Sequence, residues 1–330
     1  MKKITLGLSV LAVAALFLTS CNKKEAPSPV ADTEFESAVD ASYANTIATD
    51  IDAIAGFLGE NAYAKFFNVA PGGTTITPTN ISGVSSSFTW PANTKCADGK
   101  VRSGTIVVTY SFTDINASYY RDYGFIGFIS LNNYVVDGWM VDDSTTMPAN
   151  NTTPRFTVTN LAPSANPNPA TTKLKWQISG HLNMTNVADP TKKMTWIGKL
   201  NKTISNTSSL LPPPSNLTPI TWTMAVVEYD GEFKGVTPGN VPYTYTVGTE
   251  KPLVRNYTCS PDKVLGIVTT PSVSSINSEF HPFISGVASF TTAEKDPRAI
   301  DYNGTDAVSP CDNSGSITIK GIEYKVDFKK

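Results

Sequence analysis

Ser316-Ile317-Thr318-Ile319-Lys320-Gly321-Ile322-Glu323-Tyr324-Lys325-Val326-Asp327-Phe328 ends the chain as two alternating runs joined by two residues. Apolar side chains occupy odd positions before Lys320-Gly321 (Ile317, Ile319) and even positions after it (Ile322, Tyr324, Val326, Phe328). A two-residue turn that pairs 319 with 322 requires that flip, because side chains alternate across a strand. The stretch therefore predicts an antiparallel hairpin with one buried face.

Working back from it, the same period recurs. Ile106, Val108, Tyr110 and Phe112 share one parity, and Thr105, Thr109 and Ser111 the other. Trp176, Ile178, Gly180, Leu182 and Met184 form a second set, and Met194, Trp196, Gly198 and Leu200 a third. Ile220, Trp222, Met224 and Val226 form a fourth. Asp137-Gly138 and Asp230-Gly231 carry the dipeptides that tight hairpins favour. Half-buried strands of this kind belong to antiparallel sheets. Two Pro-rich connections, 162–172 and 206–219, interrupt the pattern without a change of composition, so residues 69–330 read as one β domain.

Residues 33–68 read as a helical segment. Thr33 and Glu36 have capping-box spacing. Phe35, Val39, Tyr43, Ile47, Ile51, Ile54 and Leu58 recur every three or four residues as one apolar stripe, and Gly59 supplies a stop. Six acidic residues (Glu34, Glu36, Asp40, Asp50, Asp52, Glu60) precede Lys65, so anionic headgroups would repel this helix. Packing on the sheet or on a partner helix is the better reading. The expected fold class is mainly β: an antiparallel β-meander of successive hairpins with one N-terminal amphipathic helix packed on it.

Residues 1–20 have the organisation of a secretory leader. Lys2 and Lys3 precede an apolar run from Ile4 to Leu18, and Leu18-Thr19-Ser20-Cys21 follows as a lipobox. The run is shorter than the about 20 apolar residues a spanning helix needs. Cleavage before Cys21 and acylation of that cysteine are expected, with residues 21–32 as a solvated tether. By resemblance to known lipoprotein sorting, Asn22 rather than aspartate after the anchor does not argue for inner-membrane retention, so the outer membrane is expected, on its periplasmic face or at the cell surface.

Composition narrows the partners. Lys2 and Lys3 leave with the leader, so the mature chain keeps 24 basic side chains against 28 acidic ones, formally −4. No basic stripe exists, which argues against nucleic acid as a partner. With Cys21 lipidated, Cys96, Cys259 and Cys311 remain, an odd number for an oxidising compartment. One disulfide plus one thiol is the simplest reading. Cys259 with Cys311 is the favoured pair because each immediately precedes a strand; three buried thiols is the alternative.

Little in the chain points to chemistry. His181 and His281 are far apart with no ligand-spaced neighbour, and His181 falls on the polar parity of its strand. No nucleophile elbow or phosphate-cradling loop occurs, and no cofactor is implied. Asp137, Asp142 and Asp143 cluster near Trp139, which would suit glycosidase acids beside a sugar platform, although Asp137 also reads as a turn residue. Asp301, Asn303 and Asp306 imitate part of a calcium loop, which an Asn-Gly turn explains more simply. Of five tryptophans, Trp176, Trp196 and Trp222 lie on apolar parities. Trp90 and Trp139, next to turns, are the candidates for exposure to a ligand.

Several of these stretches together resemble a family of uncharacterised lipoproteins from Bacteroidetes-type bacteria. They are Cys96, the run Asp98-Gly99-Lys100-Val101-Arg102-Ser103-Gly104, the hairpin Asn133-Tyr134-Val135-Val136-Asp137-Gly138, and Lys251-Pro252-Leu253-Val254-Arg255 ahead of Cys259. Asp301-Tyr302-Asn303-Gly304 and Cys311-Asp312-Asn313 complete them. The resemblance spans about residues 21–330 and implies the class and the address, with no assigned activity. The expectation is a lipid-anchored, non-enzymatic envelope protein that binds a glycan, a lipid or an envelope partner. The alternative is a surface-anchored polysaccharide hydrolase using an Asp pair.

Overall fold

The computed structural model describes residues 32–59, 79–80, 85–96, 100–112, 120, 123–143, 156–161, 173–204, 226–256, 283–293, 295–303 and 313–328. The chain divides into two compact units, Met1–Thr33 and Glu34–Lys330. Among the described residues, the second holds one helix and sixteen strands. The helix is α1 (Glu36–Gly59). The strands are β1 (Thr79–Asn80), β2 (Ser85–Lys95), β3 (Val101–Phe112), β4 (Phe125–Val136), β5 (Trp139–Asp142), β6 (Thr157–Asn160), β7 (Lys175–Asn186) and β8 (Lys193–Ile204). They continue as β9 (Val226–Val236), β10 (Pro242–Val247), β11 (Leu253–Asn256), β12 (Phe283–Ser285), β13 (Val287–Thr291), β14 (Arg298–Asp301), β15 (Ser314–Ile319) and β16 (Ile322–Asp327).

Every pairing in the sheet is antiparallel, and spatial order follows chain order. Three lanes are each shared by two short segments. β5 and β6 both lie between β4 and β7, pairing with opposite ends of each. β10 and β11 both run along β9, and β13 and β12 run along them in turn. With those segments merged, the sheet is a plain up-and-down meander.

The turn chemistry acts where the residues predict it at two of three places. Asp137 and Gly138 have φ of +48° and +79°, and Lys320 and Gly321 +50° and +80°, the left-handed pair that a two-residue hairpin turn needs. Ile319 pairs with Ile322 as the parity flip requires. Ile317, Ile319, Val326 and Phe328 are buried, whereas Ile322 at the hairpin tip is 51% exposed. Asp230-Gly231 does not turn: both residues lie inside β9, opposite Asn201 and Leu200. Gly231 has φ +131°, and a Cβ there would stand 2.4 Å from the Lys199 carbonyl oxygen, so glycine lets β8 and β9 press together without reversing the chain. β9 also buries Val227 and Tyr229, the parity opposite to that of Val226; Ile220, Trp222 and Met224 lie outside the described residues.

α1 packs on the sheet, and the sheet curls around it. The whole predicted stripe from Val39 to Leu58 is buried, but so are Ser37, Asp40, Ser42, Asn45, Thr46, Thr49, Asp50 and Asp52 on the other sides. Side chains from β3, β5, β8, β9, β11, β14 and β16 all reach the helical segment. A closed sheet of about eight strands leaves room only for side chains. Many more strands are needed to surround a helix about 10–12 Å across, and this meander supplies them. Tyr43 packs on Trp139 with ring centroids 6.4 Å apart, and Phe35 on Tyr324 at 6.1 Å. A helix amphipathic in sequence is thus enclosed in the structure.

Candidate functional site

The interior is built from charges that the alternation places on the apolar parity. Arg102 shares its face of β3 with Ile106 and Val108, Lys202 its face of β8 with Leu200, and Arg298 its face of β14 with Ile300; all are buried. Each meets an acid of the helical segment. Arg102 Nη2 lies 2.7 Å from Asp50 Oδ2, and its Nε donates to the Tyr134 hydroxyl at 3.3 Å. Lys202 Nζ lies 2.8 Å from Asp52 Oδ2 and donates to the Tyr120 hydroxyl at 3.0 Å. Tyr120 and Tyr229 donate to the same carboxylate at 2.9 and 3.3 Å. The lysine also sits 5.0 Å from the Tyr120 ring centroid and 5.5 Å from that of Trp176, a cation–π arrangement.

Where the helix begins, Glu34 caps its first turn. Its Oε1 accepts from the Ser37 amide at 2.8 Å, and its Oε2 pairs with Lys295 at 2.8 Å. Its main-chain oxygen accepts from Arg298 Nη2 at 2.9 Å. Further along, the Ser42 hydroxyl bonds Tyr302 at 2.6 Å, and Tyr302 bonds Tyr245. Arg255 donates to the Thr49 carbonyl at 3.3 Å.

Burial raises the Asp50 carboxyl, but Arg102, Lys100 and Arg255 outweigh it and hold the group below the usual carboxylate range. Burial likewise opposes ionisation of Glu34, and Lys295 and the Ser37 amide reverse it. The phenols go the other way: burial pushes Tyr302 up to about 12 and Tyr245 well above its usual value. Asp50 and Glu34 are therefore held as carboxylates beside their bases, and Tyr302 and Tyr245 as neutral phenols, an arrangement that seats the helix in the sheet.

The residues singled out in sequence are dispersed. Trp90 is 2% exposed, packed between Phe88 and Tyr134 with centroids at 5.4 and 5.7 Å. Trp139 is 8% exposed against the helix. Neither is the ligand-facing aromatic its nearness to a turn suggested, because strand parity decides the face and both fall on the inner one. Asp137 sits at the hairpin tip, accepting from the Val101 amide at 2.8 Å with Lys100 at 3.6 Å. Asp142 lies at the far end of β5 from that turn, with the strand's extended residues between them. Asp143 accepts from the Leu131 amide at 3.4 Å. Asp301 Oδ1 accepts from the Asn303 amide at 2.8 Å, an Asx-type turn; Asp306 lies outside the described residues, as do Cys21, Cys259 and Cys311. Cys96 is buried, with its thiol 3.8 Å from the Thr94 carbonyl oxygen. His181 is half-buried on the outer face, and burial lowers its pKa. Among the described residues, no group of three or more His, Cys, Asp or Glu is placed to hold a metal ion.

What the alternation alone did not single out is a cleft on that outer face, of about 440 Å³, lined by Gln177, Ile197, Lys199, Asn201, Glu232 and Lys234 with main chain at Gly198, Gly231 and Phe233. No protein-family model, curated protein or solved structure matches the chain.

Proposed function

We propose that this chain is a lipid-anchored protein of the bacterial cell envelope, held at the outer membrane through Cys21, whose body binds a ligand and does not transform one. The observation that carries the reading is the order of the first residues: Lys2-Lys3, an apolar run too short to span, then Leu18-Thr19-Ser20-Cys21. The enclosed helix supports binding over chemistry, since its Asp50 and Asp52 are paired with Arg102 and Lys202. It also weighs against a lipid carrier, because a helix occupies the space a carried acyl chain would need. A glycan or an envelope partner, met on the outer face, is the ligand that fits.

The test is acylation. Radiolabelled palmitate incorporates into the wild-type chain expressed in a bacterium with an outer membrane, and the product sediments with envelopes. Cys21→Ser abolishes the label and releases the body. Unlabelled wild type, or a serine variant still sedimenting with envelopes, refutes the anchor.

A further inference from the structure

β7, β8 and β9 lie side by side at the outer cleft, and their register brings its lining together. Lys199 stands opposite Glu232, Ile197 opposite Lys234, and Gln177 opposite Asn201. The floor is glycine. A Cβ on Gly198 would stand 2.4 Å from Phe233 Cβ, and one on Gly231 2.4 Å from the Lys199 carbonyl oxygen. Both positions therefore exclude side chains, and the two strands bend against each other beneath the opening.

We propose that this cleft binds an acidic saccharide, a hydroxyl-rich sugar unit carrying one carboxylate; the inference rests on the binding role above and names its ligand class. Donors dominate the lining. Lys199 and Lys234 supply ammonium groups, and Gln177 and Asn201 supply amides that suit ring hydroxyls. Glu232 is the one acid among the lining side chains and Asp230 is held on Asn201, so the positive charge offered to an incoming carboxylate is that of Lys199, joined by Lys234 once it leaves Glu232. Glu232 pairs with Lys234 at 3.3 Å, but both side chains are more than half exposed (51% and 63%), a pair weak enough to exchange for a ligand. Asn201 Nδ2 is committed to Asp230 at 2.8 Å, which leaves its oxygen to accept from a hydroxyl. Ile197 is 43% exposed and offers a C–H surface to one face of a pyranose ring. The volume falls within the roughly 300–1,000 Å³ of small-ligand sites. Among the described residues no aromatic side chain opens onto the cleft, since Phe233 is buried beneath it, so stacking does not help a neutral sugar. Charge is the discriminator.

The experiment titrates the full chain in neutral detergent micelles with trigalacturonate, 3′-sialyllactose and neutral galactotriose, by calorimetry at low salt. An acidic probe binds and galactotriose does not, and raising the salt weakens the binding. Lys199→Gln and Lys234→Gln each weaken it roughly two- to fivefold. Lys320→Gln, in the last hairpin, leaves it unchanged. Binding of neither acidic probe, equal binding of acidic and neutral probes, or lysine variants that bind like wild type would overturn the proposal. Because micelles replace the membrane, failure here leaves the anchor standing, and an unacylated Cys21 leaves the titration intact.

Discussion

Asp52→Asn strands Lys202 in the core with the Tyr120 hydroxyl and two aromatic rings for company. Removing one partner of a buried ion pair costs about 3–5 kcal/mol, because the other charge stays desolvated. The variant's urea midpoint falls accordingly, and Asp52→Leu with Lys202→Met regains most of the loss. Equal midpoints for the single variant and wild type would mean that the pair carries no weight. Asp50 adds a pH dependence. Its carboxyl is held below its unfolded value, so the stability it lends is present above about pH 4 and drains away as pH falls through the folded-state value. Asp50→Asn flattens that acid limb in a pH series of urea melts. Tyr302 works at the other end. Its phenol is raised from about 10 to about 12, so its contribution is intact below pH 10 and lost as pH climbs towards 12. Tyr302→Phe shallows that alkaline decline in the same series.

At the scale of an element, Ile51 is fully buried, and Ile51→Ala lowers stability by about 2–5 kcal/mol in chemical denaturation if the sheet cannot collapse onto the gap. The stripe containing Ile51 was legible in the sequence, as were the hairpins at Asp137-Gly138 and Lys320-Gly321. The enclosure of the helix was legible only in a subtler form. A solvated face carries long Lys, Arg, Glu or Gln side chains, whereas 36–59 holds no base, and its polar residues are mostly compact Ser, Thr, Asn and Asp. Arg102, Lys202 and Arg298 on apolar parities gave the complementary sign. Periodicity scores a lysine as polar and so as outward, with no term for a partner that arrives from 150 residues away. Asp230-Gly231 misled for a related reason: turn dipeptides report which φ values a backbone tolerates, and a strand bend at φ +131° uses the same freedom as a hairpin.

For the molecule as a whole, consecutive hairpins implied that neighbours in sequence would be neighbours in the sheet, and the order β7-β8-β9-β10 bears that out. The shared lanes were not legible, since β5 and β6 become one lane only through their common partners β4 and β7. Nor was the outer cleft, which depends on where two strands bend together. The helix and the sheet also stand or fall together. A chain lacking residues 33–59 keeps Arg102, Lys202 and Arg298 on a face with no acids to meet them. It is expected to lose the near-ultraviolet circular dichroism of its packed tryptophans and its cooperative melt. Retention of both would show that the meander closes without its filling.

The piece that ends up innermost is also among the first that a ribosome releases. Glu34 finds Arg298 across 264 residues, so its acidic neighbourhood waits for nearly the whole polypeptide to emerge before its last partners exist. Contacts of that sequence separation make folding slow and leave incomplete chains exposed. A nascent chain stalled before β14 would keep its core open however well its earlier strands had paired.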